Sequence, residues 1–208
     1  MFLFLLLSFS IYSQTEPNDC VNSITVCGNG ALASNADGIG NTQEVSGCSS
    51  QEHNSIWLKI NISEDVAAFS TLGFELIPDN PNINVDYDFW VFGPDKPCNN
   101  LGAPIRCNTT NPAAAGLANN HTGMNGVEMV TQSGPGELGT GYVRWLTVQP
   151  GQTYYIVVDR PIGDGGFSIE WTGTATIGDG AFPEPPVAND LPEVRTCSNN
   201  PNVGIFDL

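Results

Sequence analysis

The run best equipped for chemistry is Asp86-Tyr87-Asp88-Phe89-Trp90-Val91-Phe92. Its alternation reads as a strand, in which neighbouring side chains point to opposite faces. Tyr87, Phe89 and Val91 then face a core, while Asp86, Asp88 and Trp90 share the other side. Two carboxylates on one face repel unless water or a cation neutralises them. Calcium takes several oxygens, from carboxylates, amides and backbone carbonyls. Glu16-Pro17-Asn18-Asp19 can add such oxygens from a loop. Glu16, Asn18, Asp19, Asp86 and Asp88 are therefore the candidate Ca2+ ligands. The competing account is a solvated acidic strand end in an acidic protein. Trp90, on the Asp face, is the candidate exposed aromatic and possible ligand contact, able to stack on a sugar ring. Packing across a sandwich edge is the plainer account of the same residue. Trp57, Trp145 and Trp171 lie in apolar strands and read as core.

No catalytic arrangement is legible. There is no G-x-S-x-G and no H-E-x-x-H, and His53 and His121 are the only histidines. Carboxylates are plentiful, but no pair stands at a recognisable catalytic spacing. The chain reads as a non-enzyme.

The six cysteines are Cys20, Cys27, Cys48, Cys98, Cys107 and Cys197. No C-x-x-C pair occurs, which argues against structural zinc and for disulfides. Cys98 and Cys107 are close in sequence with turn residues between them, so a Cys98–Cys107 bridge is expected. Spacing does not decide which two of Cys20, Cys27 and Cys48 pair. Cys27–Cys48 is preferred, because it would tie the first strand to the loop before the next. Cys197 has no obvious partner within the chain.

The elements that must position these residues are strands. Apolar residues make up 40% of 208, enough for a core. Gly and Pro number 23 and 15, which points to many turns. Strands are expected at 23–26, 55–62, 67–77, 85–92, 105–108, 127–131, 142–148, 153–159 and 167–172. The last two runs before residue 160 flank Pro150-Gly151 and read as a hairpin. No segment carries a capped helical period. The expected fold is all-β: an antiparallel β-sandwich of the jelly-roll or CUB-like kind, with disulfides and one long Gly/Asn-rich loop region over 108–141.

With 22 acidic and 6 basic side chains, the net charge is -16. That excludes a nucleic-acid binder, which needs clustered cations, and docking on anionic lipid. Residues 1–13 are uncharged, apolar and too short to span a bilayer. They read as a secretory signal. A β-sandwich domain is assigned to 14–177 and a Pro- and acid-rich linker to 178–193. Residues 194–208 read as the truncated start of another module.

The ordered motifs Glu16-Pro17-Asn18-Asp19-Cys20, Asn54-Ser55-Ile56-Trp57-Leu58-Lys59-Ile60 and Phe74-Glu75-Leu76-Ile77-Pro78 carry a resemblance. It continues through Asp86-Tyr87-Asp88-Phe89, Pro104-Ile105-Arg106-Cys107-Asn108, the stretch 151–159 and Gly166-Phe167-Ser168-Ile169. This set resembles the N-terminal domain of large secreted Bacteroidota surface proteins associated with gliding motility and type IX secretion. The domain is similar to pre-peptidase C-terminal and CUB-like sandwiches. The resemblance implies a non-catalytic module of a multi-domain cell-surface adhesin, supported by calcium at Glu16, Asn18 and Asp19 as in some of those sandwiches. It implies the type IX secretion machinery as a partner, together with a cell-surface polysaccharide or protein ligand. It also implies that 194–208 opens an Ig-like repeat, where Cys197 would find its partner. The alternative function is a carbohydrate-binding accessory module of a secreted hydrolase. Trp90 departs from the family, where a small residue is usual.

Overall fold

Apolar runs rich in β-branched and aromatic residues, bounded by Gly, Pro and Asn, pair into two sheets. The computed structural model describes residues 16–28, 31–178 and 180–184. The expected signal at 1–13, the linker beyond 184 and the module at 194–208 with Cys197 lie outside the described residues. The strands are β1 (Ile24–Thr25), β2 (Leu32–Ser34), β3 (Ser55–Asn61), β4 (Ser70–Pro78), β5 (Asp86–Phe92) and β6 (Arg106–Thr110). They continue as β7 (Thr122–Asn125), β8 (Gln132–Gly136), β9 (Tyr142–Arg144), β10 (Leu146–Val148), β11 (Thr153–Ile162) and β12 (Phe167–Thr172).

The first sheet has the order β1-β3-β11-β5-β6-β8 and the second β2-β12-β4-β7-β9, with β10 also on β4. The fold is the expected all-β sandwich. The antiparallel arrangement holds for the central strands, but β1–β3, β6–β8 and β7–β9 are parallel, so both sheets are mixed.

The main core lies between the sheets. Ile56, Leu58 and Ile60 of β3, Tyr87, Phe89 and Val91 of β5, and Ile156 and Val158 of β11 meet Leu72, Phe74 and Leu76 of β4 and Phe167 and Ile169 of β12. Edge-to-face ring pairs Phe74–Phe89 and Tyr87–Phe167, with centroids 5.0 and 5.4 Å apart, join the two sheets. Each is worth about 0.5–1.5 kcal/mol beyond the area buried.

Every residue of β5 is buried. A strand covered on one face alone would alternate; one covered on both does not. The second cover comes from the N-terminal segment. Cys20, Val45, Trp57, Trp90, Phe92, Leu101, Cys107, Tyr155 and Val157 form a second, smaller core on the outer face of the first sheet.

Four local expectations are corrected. Residues 127–131 do not form a strand. The Asn125 side chain accepts the backbone N–H groups of Val127 and Glu128, which turns the chain out of β7. The run 142–148 splits at Trp145 into β9 and β10. The expected hairpin is absent, since β10 pairs with β4 and β11 with β3 and β5, so Pro150-Gly151 carries the chain between sheets. Two further strands, β7 and β8, fall inside the expected loop region. At the C-terminal side, Ala181 and Phe182 are buried in the main core, and Phe182 packs edge-on to Trp171 at 4.7 Å. These residues lie past the boundary drawn at 177.

Candidate functional site

The pleat of β5 sends Asp86, Asp88, Trp90 and Phe92 to the outer face, as the alternation predicts. The register then aligns neighbours across the sheet. Asp88 stands opposite Asp159 of β11, and Asp159 opposite Ser55 of β3. In the adjoining row Trp57, Val157, Trp90 and Cys107 stand side by side. One face therefore carries an acidic end and an aromatic end.

The segment covering this face has almost no strand of its own, so its backbone needs other acceptors. Buried and half-buried carboxylates supply them. Asp19 accepts the N–H groups of Asn41 at 2.9 Å and Thr42 at 3.0 Å, as well as the Asn41 side chain. Gly40, at φ 70°, passes so close that a Cβ there would collide with this carboxylate. Glu44 accepts from Cys20 N–H at 2.8 Å. Glu52, 2% exposed, accepts the N–H groups of Glu44 and Val45 and the Gln43 amide on one oxygen. Its other oxygen accepts Trp57 Nε1–H at 2.8 Å. Asp159 accepts His53 and Asn54 N–H, both at 2.7 Å, and pairs with His53 Nδ1 at 2.9 Å.

Asp86 and Asp88 differ. Asp86 accepts the Asn111 side-chain amide at 2.9 Å and Asp88 accepts the Ser50 hydroxyl at 3.4 Å, in each case on Oδ2. Oδ1 of each is buried with no hydrogen-bond partner. Burial pushes the Asp86 carboxyl up to about 6, against the opposing Asn111 hydrogen bond. Burial raises Asp88 well above its ordinary value, helped by the charges of Asp86 and Asp159. Burial also raises Asp159, while the His53 and Asn54 hydrogen bonds act the other way.

The structure divides the five candidate ligands into two groups. Asp86 and Asp88 lie on β5. Asn18 lies by β3, where its carbonyl accepts from Ser55 Oγ. Since β11 intervenes, the groups are about 10 Å apart by strand spacing. Glu16, Asn18 and Asp19 line an open pocket of about 380 Å³ with Asp37 and Asn41. There the Asn18 amide donates to the Asp37 carbonyl, and Asp19 is the loop clamp described above. Among the described residues, no group of three or more His, Cys, Asp or Glu side chains is placed to hold a metal ion.

Trp90 is corrected from an exposed aromatic to a buried one. It is 0% exposed, and its Nε1–H points to the Gly47 carbonyl at 3.4 Å. The ring belongs to the second core and is closed to a sugar.

The disulfide pairings are also corrected. The bridges are Cys20–Cys98 and Cys48–Cys107, not Cys98–Cys107 and Cys27–Cys48. Cys107 lies within β6 and faces the cover, where it meets Cys48. Cys98, in a 3-10 turn after β5, meets the N-terminal turn at Cys20. Cys27 follows β1 at the far edge of the first sheet, four strands from β6, or about 20 Å. A disulfide spans at most about 7 Å between Cα atoms. Cys27 is exposed and free.

Sequence reading missed Asp159, Glu52 and His53 as partners of this face. Only Glu52, five residues before Trp57, carried a local signal.

Two disulfides fit maturation in an oxidising compartment. No helix among the described residues is long and apolar enough to cross a membrane. No family model, no curated protein and no solved structure matches the chain.

Proposed function

We propose that this chain is a non-catalytic module of a secreted, multi-domain surface adhesin, serving surface adhesion or gliding-related contact and supported by calcium. The observation behind this reading is the cover on the first sheet. A segment with little strand structure is held down by two disulfides and by buried carboxylates. Such cross-linking suits a domain working outside the cell, where no chaperone repairs it and thiols are oxidised. Both histidines are paired with carboxylates, His53 with Asp159 under the cover and His121 with Glu75 on the second sheet. The ordered motifs of the sequence support the same assignment and a type IX route of export.

The test is deletion of residues 14–184 from the gene in its own bacterium, with secretion monitored separately. Loss of attachment or gliding, while the remainder still reaches the surface, supports the module as an adhesive part. Unchanged attachment with impaired export would make it a folding cap. Beads coated with the purified domain, offered polysaccharides and surface proteins, identify the ligand class.

A further inference from the structure

We infer that Asp86 Oδ1 and Asp88 Oδ1, with the Ser50 hydroxyl beside Asp88, form a site for a single calcium ion that fastens the cover to the first sheet. This deepens the calcium part of the reading above and rests on it. It assigns the ion to the β5 pair and not to the Glu16–Asp19 loop.

Asp19, Glu52 and Asp159 each have both carboxylate oxygens engaged, by N–H groups of the cover and, for Glu52, by the Trp57 indole of β3. Asp86 and Asp88, 5% and 3% exposed, each keep one buried oxygen without a partner. An unpartnered buried anion is among the costliest groups a fold can carry. The two occur on the same face of one strand, two residues apart, beside a third buried carboxylate. Among the described residues, the only ion pair in this cluster is His53–Asp159, and it leaves Asp86 and Asp88 uncompensated.

The donor chemistry then selects the ion. Two carboxylates and a hydroxyl are hard oxygen donors, with no thiol and no imidazole aimed at the pair; the Asn111 amide turns its NH2 to Asp86 and adds no oxygen. Such a set suits calcium, which tolerates irregular geometry, over zinc or copper. Asp159, its oxygens already engaged, adds negative field and is not a ligand. Access runs through the cover: an open pocket of about 430 Å³ is lined by Ser49, Ser50, Gln51 and His53, and Ser50 is the residue that reaches Asp88. Ser50 lies two residues past Cys48, whose bridge to Cys107 pins the loop over β5 and β6. An ion shared by Ser50 and the β5 pair would therefore act as a third clamp on the cover.

The test uses the whole oxidised chain at neutral pH, with calcium and terbium as probes. Trp90 lies two residues from Asp88 on the same face, so bound terbium should luminesce on indole excitation and calcium should displace it. Binding is expected at about 0.1–1 mM calcium, the range of extracellular modules. Calcium should raise the melting temperature of the wild type by several degrees over the chelated protein. Asp88→Asn should lose the shift, yet melt above the chelated wild type, because it no longer buries an uncompensated charge. Ser50→Ala, a milder change, should weaken binding severalfold while leaving the fold intact. Asp19→Asn should melt lower but keep the calcium shift.

A shift retained in Asp88→Asn and lost in Asp19→Asn would overturn the assignment in favour of the N-terminal loop. No calcium shift in the wild type, with stability rising instead on acidification, would mean that a proton satisfies the pair and no ion binds. Neither result touches adhesion, and a failed adhesion assay leaves the calcium shift in place, so the two readings fail separately.

Discussion

Asp88 and Asp159 are register partners on adjacent antiparallel strands, and both are buried, at 3% and 0% exposure. Asp159 is held by two backbone N–H groups and the His53 ring. Asp88 has only the Ser50 hydroxyl at 3.4 Å and one oxygen with nothing. The sheet thus places an unsatisfied carboxylate against a satisfied one of the same sign. That contrast makes the acidic end of the face responsive to protons and cations.

In calcium-free buffer, stability should fall as pH rises. Asp86 sits near 6 in the fold against an ordinary value of 3.8, and Asp88 is likewise raised well above that value. The folded chain therefore holds protons that the unfolded chain would release. The associated stabilisation is complete below pH 3.8 and is lost as pH rises through 6. For Asp86 alone the loss is roughly 3 kcal/mol. Thermal melts in chelator across this range check the direction. A flat profile, or one rising with pH, would contradict it.

Peptide mapping without reduction should recover Cys20–Cys98 and Cys48–Cys107. These close loops with sequence separations of 78 and 59 residues, and the chain-entropy model assigns each about 4 kcal/mol. The paired substitution Cys48→Ser with Cys107→Ser should lower the denaturant midpoint and open Trp90 to a soluble quencher. Cys27→Ser, at an exposed free thiol, should change stability by less than about 0.5 kcal/mol.

Glu52→Ala should be among the more damaging single changes in the cover. It strands the Trp57 indole N–H and the backbone N–H groups of Glu44 and Val45, while the exposed Gln43 amide keeps the Val45 carbonyl as a partner. Each stranded buried donor costs about 1–3 kcal/mol. Glu52→Gln should recover part of the loss, because its remaining carbonyl oxygen still accepts. The comparison is made from urea midpoints, with the slope checked for constancy.

Phe182→Ala should destabilise by about 3–5 kcal/mol. Phe182 is 1% exposed and packs edge-on against Trp171, which in turn meets Phe74. Truncation after Ile177 should do comparable damage. If both variants melt like the full chain, the folded unit ends before this residue.

How far the sequence could be read varies with the range of the interaction. The alternation in Asp86–Phe92 correctly placed Tyr87, Phe89 and Val91 towards the main core and Asp86, Asp88 and Trp90 on the opposite face. It did not show that this opposite face is covered. Trp90 therefore read as exposed, and the unbroken burial of β5 had no visible cause. The hairpin failed similarly: Pro150-Gly151 marks a turn in either case, and a turn does not state which sheet receives the next strand.

What the sequence by itself determined is the β character of the chain and the division of each strand into two faces. Both follow from backbone geometry with a period of two residues, and local order is enough to express it. Only the tertiary structure decided what lies over those faces. Ser50 meets Asp88 across 38 residues, His53 meets Asp159 across 106, and the two disulfides join residues 59 and 78 apart. Contacts at that range depend on how the sheets stack and where the N-terminal segment crosses them. No local pattern encodes this, and the acidic face acquires its meaning only there.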